Sequence, residues 1–190
     1  MGHSGVVSSM NIPNLITFGR ILLVPLTIWL LISEEFGLAF TSFILAGISD
    51  GVDGFLARRW KLQSELGAYL DPLADKALLV SVYGALGIIK ILPAWLVLIV
   101  ITRDTLIISG VLLAWLLYKP LAMKPLRISK VNTAVQIAFV GLVLGVLSTD
   151  INAKPILLVG TIIVATLTVL SGAYYMRDWI SHMNLDENKP

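Results

Sequence analysis

The chain has 190 residues, 57% of them hydrophobic and 14% charged, with a mean hydropathy of +0.88 and a formal net charge of +2. An average soluble domain is nearer one quarter charged, and a soluble fold of this size cannot hide so much apolar surface, because burial rises only slowly with length. The composition therefore excludes a soluble enzyme and a disordered protein; the lack of cysteine excludes a disulfide-stapled module, and the small net charge makes no case for nucleic acid.

Six apolar runs follow one another along the chain: Ile12–Ile32, Phe36–Ala57, Leu73–Ile89, Ile91–Leu117, Val131–Leu147 and Pro155–Met176. A membrane helix needs roughly 20 apolar residues, so six would take about 120 and leave about 70 for connections and ends. The expected fold is all-α, a polytopic membrane protein with six transmembrane helices in one catalytic domain over residues 10–180. Residues 1–9 read as a non-native or flexible leader, with Met10 the natural start, and 181–190 as a cytoplasmic tail. The first run is too long, and too lacking in a small-residue cleavage site, for a removed signal peptide. Pro25, Gly110, Gly141 and Gly160 within the runs are ordinary in membrane helices, where small residues let backbones approach.

Lysine and arginine in short connections set the orientation. Arg58, Arg59 and Lys61 follow the second run, and Lys119, Lys124, Arg127 and Lys130 follow the fourth. The other side carries Glu34, Glu35, Lys90, Asp150 and Lys154. The basic connections are expected to face the cytoplasm, both termini with them, in a bacterial inner membrane.

Four carboxylates lie where apolar helices should end. Asp50 and Asp53 close the second run, and Asp71 and Asp75 open the third. An ionised carboxylate is costly in hydrocarbon, so such acids normally mark function. Spacings of three and four residues put each pair on one helical face, and a short connection makes the two helices antiparallel neighbours. The four acids then converge near the cytoplasmic interface, where they repel one another unless cations compensate. Hard oxygen ligands without histidine or cysteine favour Mg²⁺ or Mn²⁺, or Ca²⁺, over zinc, and two divalent ions form a recurring clamp for displacement at phosphorus. Gly54, Ala57 and Gly67 clear space beside the acids, and Arg58 brings a guanidinium suited to phosphate. A single acid at a helix end is commonly a solvated cap; four in this register are not.

The stretch Asp50-Gly-Val-Asp53-Gly54-Phe-Leu-Ala57-Arg58, continuing to Gly67-Ala-Tyr-Leu-Asp71-Pro-Leu-Ala-Asp75, resembles the signature D-x-x-D-G-x-x-A-R…G-x-x-x-D-x-x-x-D of the CDP-alcohol phosphatidyltransferase family at all eight positions. Similarity runs from Asn11-Ile-Pro-Asn-Leu-Ile-Thr-Phe-Gly-Arg20 through Ser129-Lys-Val-Asn-Thr-Ala-Val-Gln136. The resemblance implies six transmembrane helices, a homodimer, and two divalent cations, Mg²⁺ or Mn²⁺, serving transfer of a phosphatidyl group from CDP-diacylglycerol. It implies Asp50, Asp53 and Asp71 as metal ligands and Asp75 as general base and further ligand. Asn14, Thr17, Gly54, Ala57, Arg58, Ser64 and Gly67 would bind the donor.

The resemblance implies a glycerol-type alcohol as acceptor. The fourth run holds Arg103-Asp104, and Ser129-Lys130-Val131-Asn132-Thr133 precedes the fifth. The family's phosphatidylglycerophosphate synthases usually carry Arg-Glu and Gly-Lys-x-Lys-Thr there. The pattern looks more like the cardiolipin synthases of the mitochondrial type, whose acceptor is phosphatidylglycerol, than the branch whose acceptor is glycerol-3-phosphate. A phosphate dianion would want a second lysine where Asn132 stands. Arg103, Lys130 and Asn132 are the expected acceptor residues, with Arg103 equally readable as the partner of an acid. A reading from another class, an ion-coupled transporter whose acids relay charge, expects carboxylates near the bilayer midplane and paired broken helices. These acids gather at one interface.

Overall fold

The computed structural model describes residues 19, 22–60, 65–116, 127–149 and 153–187, with side chains over 19, 22–49, 76–110, 128–149 and 153–178. The described residues form six helices and no strand: α1 over Leu22–Ile32, α2 Phe36–Trp60, α3 Glu65–Ile88, α4 Ala94–Leu116, α5 Arg127–Ser148 and α6 Lys154–Glu187. Each apolar run supplies one helix. Four of them outrun the run that announced them: α2 continues past Ala57, α3 begins before Leu73, α5 before Val131, and α6 continues past Met176, so that Asp50, Asp53, Asp71 and Asp75 lie within α2 and α3 and not at their ends. Hydropathy marks where a helix is apolar, whereas helix persistence follows backbone propensity, and Glu, Leu and Ala ahead of Asp71 are strong helix formers.

The chain divides into two compact units, one of Met1–Ile91 with Gly141–Asn152 and the other of Leu92–Val140 with Ala153–Pro190. In the first, α1 turns into α2 through a cap built on Glu34. The Glu35 amide donates to the Leu30 carbonyl at 2.9 Å and the Glu34 amide to Leu31 at 3.1 Å, the paired bonds of a Schellman motif. Glu34 takes φ 60°, the left-handed conformation usually left to glycine. The same device ends α3: Ile91 donates to Leu86 at 2.9 Å and Lys90 to Gly87 at 3.1 Å, with Lys90 at φ 61°. Glu34 and Lys90 are among the charges that the positive-inside pattern assigns to one side. Buried side chains of this unit include Leu31, Ala39, Phe43, Leu79, Val82, Tyr83, Leu86 and Leu144. Between α1 and α2, the buried hydroxyls of Thr27 and Ser42 pair at 2.8 Å, while Thr27 also donates to the Leu23 carbonyl.

In the second unit α4 packs along α6, around buried Leu96, Val97, Val100, Phe139, Val140 and Val164. A methyl at Gly160 would fall inside the Phe139 ring, so glycine is what lets α6 approach that side chain. Adding a methyl here would gain up to about 1 kcal/mol of helix propensity against about 1–3 kcal/mol of overpacking, so the clash wins. α5 and α6 carry Ile128–Ser148 and Lys154–Asp178, each long and apolar enough to cross a membrane. Ile88, Leu98, Leu158 and Val159 lie exposed, an apolar surface that water would penalise and lipid would not.

Candidate functional site

The signature occupies two consecutive helices. α2 runs unbroken through Asp50, Asp53, Gly54, Ala57 and Arg58, and α3 through Gly67, Asp71 and Asp75. Only residues 61–64 separate them. Continuous helix fixes the register: residues three apart on α2, and four apart on α3, share a face. Pro72 lies inside α3 and lacks the N–H that would bond to the carbonyl of Ala68. The side chains of Asp50, Asp53, Gly54, Ala57, Arg58, Gly67, Asp71 and Asp75 lie outside the described residues, as do Asn14, Thr17 and Ser64 altogether. As a donor set, two carboxylate pairs on helical faces suit hard divalent cations.

The second unit holds a buried polar seam. Arg103 on α4 is 3% exposed and Asp104 beside it 2%, and their side chains pair at 2.6 Å through Nη1 and Oδ1. The rest of the guanidinium reaches two other helices. Nη2 donates to Ser129 Oγ on α5 at 2.5 Å and to Ser171 Oγ on α6 at 2.7 Å, and Nε donates to Ser171 at 3.3 Å. One turn along both α5 and α6 comes a second rung. Gln136 Nε2 donates to Thr168 Oγ1 at 3.1 Å, and Thr168 donates in turn to Asn132 Oδ1 at 3.1 Å. All three residues of this rung are buried.

Of the three expected acceptor residues, Arg103 and Asn132 thus lie in one buried seam, and Lys130 is exposed on α5. Gln136, which the sequence offered only as part of the family-like stretch, completes the seam with Thr168 and Ser171, which were not singled out from the sequence. Their signal is periodic: hydroxyls at 168 and 171 on one face of the sixth run, and polar groups at 132 and 136 on one face of the fifth, which α5 extends back to 129. Beside Arg103, a cavity of about 180 Å³ opens between α4 and α6, walled mainly by Leu106, Ile107, Gly110, Gly172, Tyr175 and Met176. The Tyr175 hydroxyl donates to the Ile107 carbonyl at 3.4 Å.

The sequence profile of the CDP-alcohol phosphatidyltransferases matches residues 10–171, spanning the signature helices and the seam alike. The chain belongs to the CDP-alcohol phosphatidyltransferase family. A relative named cardiolipin synthase (CMP-forming) from Homo sapiens is 39% identical over 68% of this chain and 48% of its own length. A cardiolipin synthase (CMP-forming) / mitochondrial hydrolase fusion protein of Schizosaccharomyces pombe is 36% identical over 94% of this chain and 33% of its own length. A chloroplastic CDP-diacylglycerol–glycerol-3-phosphate 3-phosphatidyltransferase of Oryza sativa is 37% identical over 69% of this chain and 45% of its own. The chain therefore spans a third to about half the length of these phosphatidyltransferase relatives.

Proposed function

We propose that the chain is a multi-pass membrane enzyme with six transmembrane helices that transfers a phosphatidyl group from CDP-diacylglycerol to a glycerol-type alcohol, releasing CMP. The observation that carries this is the eight-position signature, complete and borne on two consecutive helices in helical register. Asp50, Asp53, Asp71 and Asp75 would hold two divalent ions, Mg²⁺ or Mn²⁺. When bound, these would neutralise the donor's diphosphate and the charge that develops on the leaving CMP. Gly54, Ala57, Gly67, Asn14, Thr17 and Ser64 would seat the donor, with Arg58 meeting phosphate through a guanidinium that stays protonated. Asp75 takes the proton from the acceptor hydroxyl, whose oxygen attacks the phosphorus bearing diacylglycerol. The bond from that phosphorus to CMP breaks. The basic connections after α2 and α4 support a cytoplasmic side for this chemistry, and the family resemblance implies a homodimer.

The proposed acceptor is phosphatidylglycerol, which makes the enzyme a cardiolipin synthase. Two features support it. Asn132 stands where a second lysine would serve a phosphate dianion, and it is buried and uncharged. The apolar cavity beside Arg103 suits an acyl chain, which phosphatidylglycerol has and glycerol-3-phosphate lacks. The relative from Oryza sativa keeps glycerol-3-phosphate as the second reading. Product identity decides. Detergent-solubilised protein given CDP-diacylglycerol with both acceptors in competition should make cardiolipin by mass, with stoichiometric CMP. Phosphatidylglycerophosphate with no cardiolipin would replace the acceptor assignment, and no CMP with either acceptor would sink the transferase reading.

A further inference from the structure

The second rung of the seam has a direction. A threonine hydroxyl has one hydrogen, and Thr168, accepting from Gln136 Nε2, spends that hydrogen on Asn132 Oδ1. The oxygen of the Asn132 amide is thereby held toward α6, and its nitrogen faces away from Thr168. Asn132 is 0% exposed, and its Nδ2 has no hydrogen-bond partner among the described residues. A buried amide donor left without an acceptor costs about 1–3 kcal/mol, which a structure retains where something else supplies the acceptor. Its surroundings say what that acceptor is. The flanking rung, one turn away, is Arg103 with its charge matched by Asp104 and its guanidinium held by Ser129 and Ser171. The orphan donor is itself uncharged. A neutral donor fits a neutral hydroxyl or a shared phosphodiester oxygen better than a phosphate dianion, which would be left undercompensated in a dehydrated site.

We infer that Thr168 and Gln136 are positioning residues that orient Asn132, so that its Nδ2 hydrogen-bonds an oxygen of the acceptor's glycerol headgroup. The inference rests on the phosphatidyltransferase reading for the identity of that acceptor. It assigns a specificity role to a hydroxyl in α6 that lies far along the chain from the signature. No bond is made or broken; the rung sets which alcohol is held and in which orientation.

The test uses the full chain in detergent micelles with dihexanoylphosphatidylglycerol as probe, and dihexanoylphosphatidylcholine as a control that keeps the phosphodiester and chains but lacks the glycerol headgroup. Calorimetry reads binding without donor, so recognition is measured apart from turnover. Thr168→Val keeps the side-chain volume and removes the hydroxyl; it should weaken phosphatidylglycerol binding about five-fold, the worth of one buried hydrogen bond of about 1 kcal/mol, and leave phosphatidylcholine unchanged. Thr168→Ser should restore it. Asn132→Asp replaces the donor nitrogen by an oxygen and should weaken phosphatidylglycerol at least as much, which gives a second reading should Thr168→Val fold poorly. In turnover, Thr168→Val should raise KM for phosphatidylglycerol with kcat and the KM for CDP-diacylglycerol near wild type. Thr168→Val and Asn132→Asp that bind phosphatidylglycerol as wild type does, or that lose both lipids equally, overturn the inference. Wild-type protein that binds phosphatidylglycerol selectively through these residues yet releases no CMP would overturn the proposed reaction and leave the positioning role standing.

Discussion

Arg103 has five N–H donors and sits within an apolar helix, almost wholly buried. Sequence alone leaves two uses for such a residue, gripping an acceptor phosphate or pairing with an acid. The structure gives its charge to Asp104 and its fork to Ser129 and Ser171, so one side chain ties α4 to α5 and α6. What remains for an acceptor is the second N–H on Nη1, which no described residue engages. The geometry depends on a planar fork, because two of the bonds converge on a single serine oxygen. A lysine at this position keeps the charge but not the fork. Hydrogen bonds involving an ionised group contribute about 1.5–3 kcal/mol each, so Arg103→Lys should cost roughly 2 kcal/mol, and Arg103→Ala more, since it strands Asp104's buried charge without this partner. Thermal unfolding in detergent should therefore rank wild type above Arg103→Lys above Arg103→Ala. A lysine variant that melts with wild type would show that the clasp contributes no stability.

At the scale of elements, the two Schellman turns after α1 and α3 carry a conflict between residue and backbone. Glu34 and Lys90 hold φ near 60° without being glycine, at a cost of about 1–2 kcal/mol each, while glycine's extra freedom when unfolded costs about 0.5–1 kcal/mol. The difference favours glycine. Glu34→Gly and Lys90→Gly should each raise the melting midpoint slightly, by the equivalent of about 0.5–1 kcal/mol; a fall at either position would mean that the charged side chain contributes more than the turn geometry. The same turns show what was legible. Charges at 34, 35 and 90 located both connections correctly, because charged residues interrupt the apolar runs where these helices end. The start of α3 was not legible, since Glu65 and Gly67 interrupt hydropathy without interrupting helix. Nor was the seam. A hydroxyl in an apolar helix usually bonds back to its own preceding turn, as Thr161 does to Leu157 and Thr166 to Ile162. Nothing local separates those from Thr168 and Ser171, which bond across helices. The distinction belongs to tertiary structure, and only the coincidence of two polar faces hints at it.

At the scale of the whole molecule, two concentrations of polar chemistry stand out in an otherwise apolar chain, and they answer to different physics. Apart from Asn132 Nδ2, the donor atoms of the seam meet acceptors within the protein, and Arg103 meets Asp104. The signature sets four carboxylates within two consecutive helices, with Arg58, Arg59, Lys61 and Lys76 close by in sequence. On the proposed reading their balance comes from outside the chain. Excess chelator should therefore stop CMP release, and added Mg²⁺ or Mn²⁺ should restore it, because four bare carboxylates repel a diphosphate instead of holding it. The individual acids should separate by role. Asp75→Asn removes the proposed base and one proposed ligand among several, and general-base catalysis contributes about 10²–10⁴-fold, so turnover should fall by at least that factor while CDP-diacylglycerol binding stays within a few-fold of wild type. Asp53→Asn strikes a ligand on the helix shared with Gly54 and Arg58, and should lower donor binding and turnover together. The pair of measurements, donor affinity by calorimetry and CMP release on the same preparations, tells the roles apart: if Asp75→Asn turned over at near wild-type rate, the base would have to be sought elsewhere, and if full activity survived chelation, the four acids would need a different explanation for their shared register on two consecutive apolar helices.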